Sequence, residues 1–335
     1  MDIDLSVLRI MESERDVPFE ELVGIIEQAI LIAYEKHMGL SDQRGMPSDP
    51  DVPRIRVELD RTSGHVRLLS PNIDETSGGV GEEILSPKDF GRIAAQAAKQ
   101  VINQKLRDLG DDRILGEYRG REGDIVSGVI QQGPNPRMVH ISLGEVEALL
   151  PPEEQVPGEN YAHGARVRVF VTKVEKGLKG PAITVSRSHP GLVRKLFAME
   201  VPEIHEGLVD ISSVAREAGH RSKIAVRAVE PGINAKGACI GELGQRVRAV
   251  QTELGEEKID IVDFSEDIAQ FVINALSPAT VSSAFVLDKE AKQVRALVPD
   301  YQLSLAIGKE GQNARLAAKL TGAKIDIQPD SVMGT

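Results

Sequence analysis

Cysteine is nearly absent. Cys239 is the sole cysteine in 335 residues, which excludes an internal disulfide framework and paired-cysteine metal sites and fits a reducing compartment. Its neighbour Ile240 marks it as a small buried hydrophobe and not a nucleophile. Long apolar runs are also lacking. No stretch approaches the roughly 18 residues a membrane helix needs, and the acidic start Met1-Asp2-Ile3-Asp4-Leu5 has no signal-peptide pattern. A cytoplasmic protein without a membrane partner is expected. No His-Glu-x-x-His zinc motif occurs, and Gly308-Lys309 is followed by Glu310, outside the frame of a GTPase phosphate loop. No enzyme activity, cofactor or metal is expected.

Positive charge is the next shortage. Lys and Arg number 40 against 51 Asp and Glu, a net charge of −11. The acidic excess sits at the front. Residues 1–120 hold 15 basic and 23 acidic side chains, residues 121–190 hold 8 of each, and residues 191–335 hold 17 and 20. Any nucleic-acid surface in the rear half must therefore be a local patch that contacts a few phosphates. The length suits two to four domains, and 41% hydrophobic content suits ordinary globular cores.

What the chain does have is a repeat. Ala238-Cys239-Ile240-Gly241-Glu242-Leu243-Gly244-Gln245-Arg246-Val247 is answered by Leu305-Ala306-Ile307-Gly308-Lys309-Glu310-Gly311-Gln312-Asn313-Ala314. Each copy continues to a Lys-Ile-Asp-Ile tetrad, at Lys258 and at Lys324. Gly308 follows Gly241 by 67 residues and Lys324 follows Lys258 by 66, so one supersecondary unit is used twice with one indel. In each copy an apolar segment ends at Ile-Gly, a second Gly comes three residues after the first, and a helix-like run begins. Glycines without Cβ let a foreign backbone approach, and the following helix start offers unpaired N–H groups that favour phosphate. One such turn alone is more simply a helix-packing device. Two with matching flanks resemble the GXXG loop with which KH domains clamp about four nucleotides.

In chain order, Leu5, Leu8 and Met11 mark a short amphipathic helix over residues 1–16. Pro18 opens a longer one with an apolar stripe at Leu22, Ile25, Ile26, Ala29, Ile30 and Ala33. Residues 39–53 read as loop, 54–60 and 65–69 as strands around the Thr62-Ser63-Gly64 turn, and 74–83 as loop. Ser86, Pro87 and Asp89 then start a helix predicted to reach about Leu109. This acidic α+β head, residues 1–118, carries no nameable catalytic motif; its charge fits either a solvated face or a protein-docking surface. Five short strands follow over residues 119–188, which suggests a small Greek-key barrel of the OB type. Its second strand offers Met138 and His140 where base-stacking aromatics are usual. Aromatics are only 3% of the chain, so both RNA contact and a spacer role are open for the barrel. Residues 189–265 and 266–335 each read α-β-β-α-α-β, the order of bacterial-type KH domains. About three residues separate them, so rigid packing and one continuous RNA groove are expected.

The predicted fold class is thus α+β multidomain: an α+β N-terminal head, an OB-type barrel and two tandem bacterial-type KH domains. The barrel's Gly-Asp start, its Leu149-Leu150-Pro151-Pro152-Glu153-Glu154 middle, its Tyr161-x-x-Gly164 step and its Ile183-Thr184-Val185-Ser186-Arg187 end resemble the S-one motif. Longer stretches point to one family. They include Phe90-Gly91-Arg92-Ile93-Ala94-Ala95, Ser188-His189-Pro190 and Val201-Pro202-Glu203-Ile204. The runs from Ala215 to Val226 and from Ala306 to Ala317 belong with them. Over essentially its whole length the chain resembles the NusA family of bacterial transcription termination and antitermination factors, in an actinobacterial-like form. That resemblance implies a head that docks on RNA polymerase at the β-subunit flap, and a barrel and KH units that hold single-stranded nascent RNA. It also implies lengthened pauses, hairpin termination, and work with other antitermination factors. A monomer is expected. Some members carry acidic C-terminal repeats; the sequence to Thr335 shows none, so regulation through such a tail is not expected.

The candidate RNA-binding residues are Gly241, Glu242, Leu243, Gly244, Gln245, Arg246 and Arg248 in the first unit, and Gly308, Lys309, Glu310, Gly311, Gln312, Asn313 and Arg315 in the second. The first loop has no basic residue between its glycines, so its grip falls to backbone N–H groups with Arg246 and Arg248 nearby. Lys309 gives the second loop more charge. Gln312 and Asn313 fit either base contact or helix capping, and the Arg216, Arg221 and Lys223 cluster fits either RNA contact or a solvated turn. A phosphorolytic exonuclease of KH and S-one modules needs a catalytic core larger than the first 118 residues. An RNA chaperone or ribosome-assembly factor differs from a transcription factor only in lacking polymerase binding.

Overall fold

The computed structural model describes residues 3–15, 18–38, 55–73, 80–85, 90–135, 137–177 and 180–331. The chain forms two compact units, Met1–Ile114 and Leu115–Thr335.

The first unit has helices α1 (Leu5–Arg15) and α2 (Phe19–Met38), strands β1 (Arg56–Leu59), β2 (Val66–Ile73) and β3 (Val80–Leu85), and the start of α3 (Phe90–Arg119). The strands form one antiparallel sheet with β2 central. Helix α2 buries Leu22, Val23, Ile26, Ile30 and Tyr34. The predicted stripe is therefore rotated, with Ile25 and Ala29 only half-buried. Tyr34 meets Phe90 of α3 edge to face at 5.7 Å. At the β1–β2 turn, Gly64 has φ +73, and an added Cβ would lie 2.1 Å from the Ile3 carbonyl oxygen. Glycine is required there because Ile3 N–H bonds the Gly64 carbonyl at 2.8 Å.

Two expectations for this region change. Residues 80–83 belong to strand β3, paired with β2 from Ile73–Val80 onward, and are not loop. Helix α3 does not stop near Leu109 but continues to Arg119. An interior glycine such as Gly110 costs about 1 kcal/mol, and burial of Leu115 and Tyr118 in the last turns offsets it. The predicted Ser86, Pro87 and Asp89 helix start lies outside the described residues, as do 39–53 and 74–79.

The second unit opens with a closed barrel of β4 (Ile125–Gln131), β5 (Val139–Ser142), β6 (Glu147–Leu150), β7 (Arg166–Gly177) and β8 (Gly180–Ser186). Its strand order is β4-β5-β6-β8-β7. Closure comes from the parallel pairing of Ala148 and Leu149 with Ile183 and Thr184. Inward-facing Val126, Ile130, Ile141, Leu150, Val169, Val171 and Ile183 fill it, as period-two alternation requires.

Two α-β-β-α-α-β modules follow. The first comprises α4 (Pro190–Glu200), with the short α5 (Pro202–His205) behind it, then β9 (Val209–Glu217), β10 (Arg221–Ala228), α6 (Ala235–Ile240), α7 (Gln245–Glu253) and β11 (Lys258–Asp263). The second comprises α8 (Ile268–Ala275), β12 (Ser283–Asp288), β13 (Gln293–Val298), α9 (Leu303–Ile307), α10 (Gln312–Thr321) and β14 (Lys324–Pro329). In each sheet the second strand is central, antiparallel to the first and parallel to the last. Helix α4 starts well: Pro190 sits at its first position, and the His189 ring nitrogen accepts from Gly191 N–H. It buries Leu192, Val193, Leu196 and Phe197, each contributing about 1.5–3 kcal/mol.

Strand β10 is buried on both faces, and this sets the relation between the modules. Ile224 and Val226 join the first module's own core. Ala225, with Ala215 and Val262, packs instead with Phe271, Val272, Leu316 and Leu320 of the second module. A shared apolar core of this kind makes the two modules one packed body, as their short connection predicts.

Candidate nucleic-acid interface

The glycine loops of the two modules have one backbone conformation. Gly241 and Gly308 lie at φ/ψ 73/175 and 78/170. Leu243 and Glu310 lie at 49/24 and 54/24. Gly244 and Gly311 lie at 76/19 and 74/13. The first position falls in a region that is essentially glycine's alone. It has a second constraint: a Cβ on Gly241 would come within 2.6 Å of the Arg246 side chain, and one on Gly308 within 2.8 Å of Asn313. Leu243 and Glu310 each bear left-handed strain of about 1–2 kcal/mol.

Helices α7 and α10 start directly after these loops, and neither Gly244 nor Gly311 supplies a side-chain cap. The N–H groups of Gln245 and Gln312 are taken by the Glu242 and Lys309 carbonyls and those of the four loop glycines by Gly237, Gly241, Ser304 and Gly308. The positive dipole end of each helix and the remaining N–H groups of the loop meet no cap side chain among the described residues. Lys309 and Arg248 are exposed beside them, and neither is in an ion pair among the described residues. Glu242, Gln245 and Glu310 are exposed as well. Leu243 is 93% exposed at the tip of the first loop.

The other candidates are engaged by the protein itself. Arg246 donates to Glu203 at 2.8 Å and to the Ala238 carbonyl at 2.7 Å. Gln312 donates to Glu217 at 2.9 Å, and Arg315 to Glu217 and to the Glu310 carbonyl. Asn313 is buried, its amide donating to the carbonyls of Leu276, Leu305 and Ala306. Its amide is spent on the end of the preceding helix α9 and not on the start of α10, and its Oδ1 is buried without a hydrogen-bond partner among the described residues.

The expected basic cluster is also corrected. Arg216 is buried in a bidentate pair with Glu257, itself fully buried, and also donates to the His189 carbonyl at 3.0 Å. Glu257 further accepts from Gly219 N–H and Ser222 Oγ. Lys223 is fully buried and donates to Asp260 at 2.8 Å and to the Ser277 carbonyl at 2.6 Å. Half-buried Arg221 pairs with the same Asp260 at 2.8 Å. Burial drives the Lys223 pKa down and pushes that of Asp260 up, but bonds from Arg221 and Lys223 hold the Asp260 carboxyl below its usual range. Arg216 and Lys223 are internal and present no charge to a ligand, whereas Arg221 is paired but still partly exposed. Lys223 is internal because it shares Ala225's face of β10, which the second module covers.

The barrel's two aromatics give no open stacking face. Phe170 is buried and stacks on His189 at 4.5 Å. Tyr161 is half-buried, with its hydroxyl between Val156 N–H and Glu159. His140 is paired with Glu147 at 2.9 Å. Tyr301, not among the sequence-based candidates, is 80% exposed just before α9, with Leu305 and Ile307 partly exposed on the way to the second loop. Among the described residues no group of three His, Cys, Asp or Glu could hold a metal, and no helix is long and apolar enough to cross a membrane.

A closed five-stranded barrel followed by two α-β-β-α-α-β modules, each with a glycine loop feeding a helix start, defines a tandem-KH protein. Residues 187–264 match the NusA-like first KH domain, residues 268–333 the NusA-like second KH domain, and residues 72–112 the NusA N-terminal domain. The transcription termination/antitermination protein NusA of Mycobacterium tuberculosis is 50% identical over 99% of this chain and 94% of its own length. That of Bacillus subtilis is 46% identical over 98% and 91%, and that of Thermus thermophilus 39% over 94% and 87%. The chain belongs to the NusA family.

Proposed function

We propose that this protein is a non-enzymatic transcription factor that acts in the cytoplasm as a monomer, binds nascent single-stranded RNA and modulates pausing, termination and antitermination by RNA polymerase. The observation that carries the RNA half is the duplicate glycine loop: two uncapped helix starts of identical backbone geometry on one packed body. Gly241–Gly244 and Gly308–Gly311 receive phosphates through backbone N–H groups, with Lys309 and Arg248 supplying charge and Gln245, Gln312 and Arg315 at the margin. The family relationship supports the polymerase half, with the head docking near the β-subunit flap and other antitermination factors joining the complex.

The test is transcription by purified polymerase core and initiation factor on a template with a hairpin pause and a terminator. Adding the full chain should lengthen the pause and change read-through, and immobilised core should retain the chain. Retention of RNA without retention by polymerase would favour the second reading, an RNA chaperone or ribosome-assembly factor.

A further inference from the structure

The tip of the β9–β10 hairpin is where barrel, first module and second module meet. Three neighbouring residues point three ways. Arg216 reaches the His189 carbonyl at the base of α4. Gly219 lies against the barrel, where an added Cβ would come within 2.6 Å of Val156. Glu217 reaches the second module and accepts from Gln312 Nε2 at 2.9 Å and Arg315 Nε at 2.5 Å. Strand alternation sends Arg216 and Glu217 to opposite faces, and Gly219 lies in the turn beyond β9.

The Glu217 contact bears on the second glycine loop. Gln312 is the first residue of α10, directly after Gly311. Arg315, held by Glu217 through Nε, uses Nη1 to bond the carbonyl of Glu310 at 3.1 Å. Glu310 is the left-handed, strained residue of that loop. A chain of two bonds therefore runs from the first module to the strained peptide of the second module's loop. The first loop differs. Its equivalent helix residue, Arg248, is exposed and in no ion pair among the described residues, and its brace, Arg246, bonds Glu203 and Ala238 of its own module. The Glu217 side chain is 18% exposed against 48% for Arg315. The hydrogen bond from Arg315 holds the Glu217 carboxyl below its usual range, despite some burial.

We propose that Glu217 is a positioning residue for RNA binding by the second module: through Arg315 and Gln312 it fixes the Gly308–Gly311 loop in its phosphate-accepting form. The first module thereby sets the binding geometry of the second. This role rests on the reading that the second loop binds RNA.

The test compares the full chain with Glu217→Ala, Glu217→Gln and Lys309→Ala, using a fluorescent single-stranded RNA and amide hydrogen exchange. Each loop holds an internal bond of 3.1 Å, Gly311 N–H to Gly308 and Gly244 N–H to Gly241, so the first loop is the control. Glu217→Ala should weaken RNA binding about tenfold and speed exchange at Gly311 about tenfold, the scale of one charge-assisted hydrogen bond. Gly244 should be unaffected. Glu217→Gln, which keeps an acceptor oxygen and the size, should fall between. A merely structural role would move melting temperature without this selective change at Gly311. Weaker binding in Lys309→Ala with no change in either Glu217 variant overturns the positioning role and leaves the second loop as an RNA site. No change in any variant overturns both.

Discussion

Arg246 and Asn313 occupy the same position in the two modules and do the same work with different side chains. Each follows the first loop glycine by five residues and fills the space a Cβ there would need. Each donates to the end of the preceding helix, Arg246 to the Ala238 carbonyl and Asn313 to those of Leu305 and Ala306. The repeat thus conserves a cap across a change from a charged to a neutral donor.

Asn313→Ala should therefore destabilise the second unit by about 1–3 kcal/mol, the cost of leaving buried carbonyls unpaired. Arg246→Ala should cost less, because Arg246 is half-buried and water can replace it. Urea unfolding of both variants measures the difference. Equal losses would contradict the assigned burial.

The Lys223–Asp260 pair makes a directional prediction. Asp260→Ala leaves a fully buried ammonium and should cost about 3–5 kcal/mol. Lys223→Met should cost less, since Asp260 keeps Arg221, and adding it to Asp260→Ala should recover part of the loss. Asp260 is held below the usual carboxylate range. Its stabilisation is present at neutral pH and is lost as pH falls through that depressed value. Acid titration of Asp260→Asn should show a shallower fall in stability below about pH 4.

Cys239 should be chemically silent in the native protein. It is fully buried, and burial pushes its thiol up to about 12. At pH 8 its thiolate fraction is roughly a thousandfold below that of a free cysteine. Alkylation should proceed at the rate of unfolding, and fast native-state labelling would place the thiol at the surface.

Tyr301 provides a stacking surface that the barrel lacks. If a base rests on it beside the second loop, Tyr301→Ala should weaken single-stranded RNA binding by about 1–3 kcal/mol without changing the salt dependence. Unchanged affinity would remove Tyr301 from the interface.

Much of the fold is readable from local pattern. The Gly-x-x-Gly duplication, the barrel's alternating strands and the Leu303–Ile307 helix are encoded within a few residues each. What is not readable depends on distant partners. Arg216, Lys223 and Asn313 look like exposed polar groups in sequence. Their partners Glu257, Asp260 and Leu276 stand 41, 37 and 37 residues away. Nothing local tells that both faces of β10 are covered. The length of α3 is hidden for the same reason, since Gly110 reads as a stop until Leu115 and Tyr118 are seen to be buried.

The most direct test is a fluorescence anisotropy titration of single-stranded RNA with the full chain and with Lys309→Asp/Gly311→Asp, at several salt concentrations. Lys309 is exposed, and Gly311 is left-handed with nothing within 4 Å of an added Cβ, a conformation aspartate tolerates. Aspartate there places negative side chains where phosphates should sit. The folded variant should lose most of its affinity, and the remaining binding should have a shallower salt slope. A folded variant with unchanged affinity and slope would contradict the assignment of the glycine loops as the RNA site.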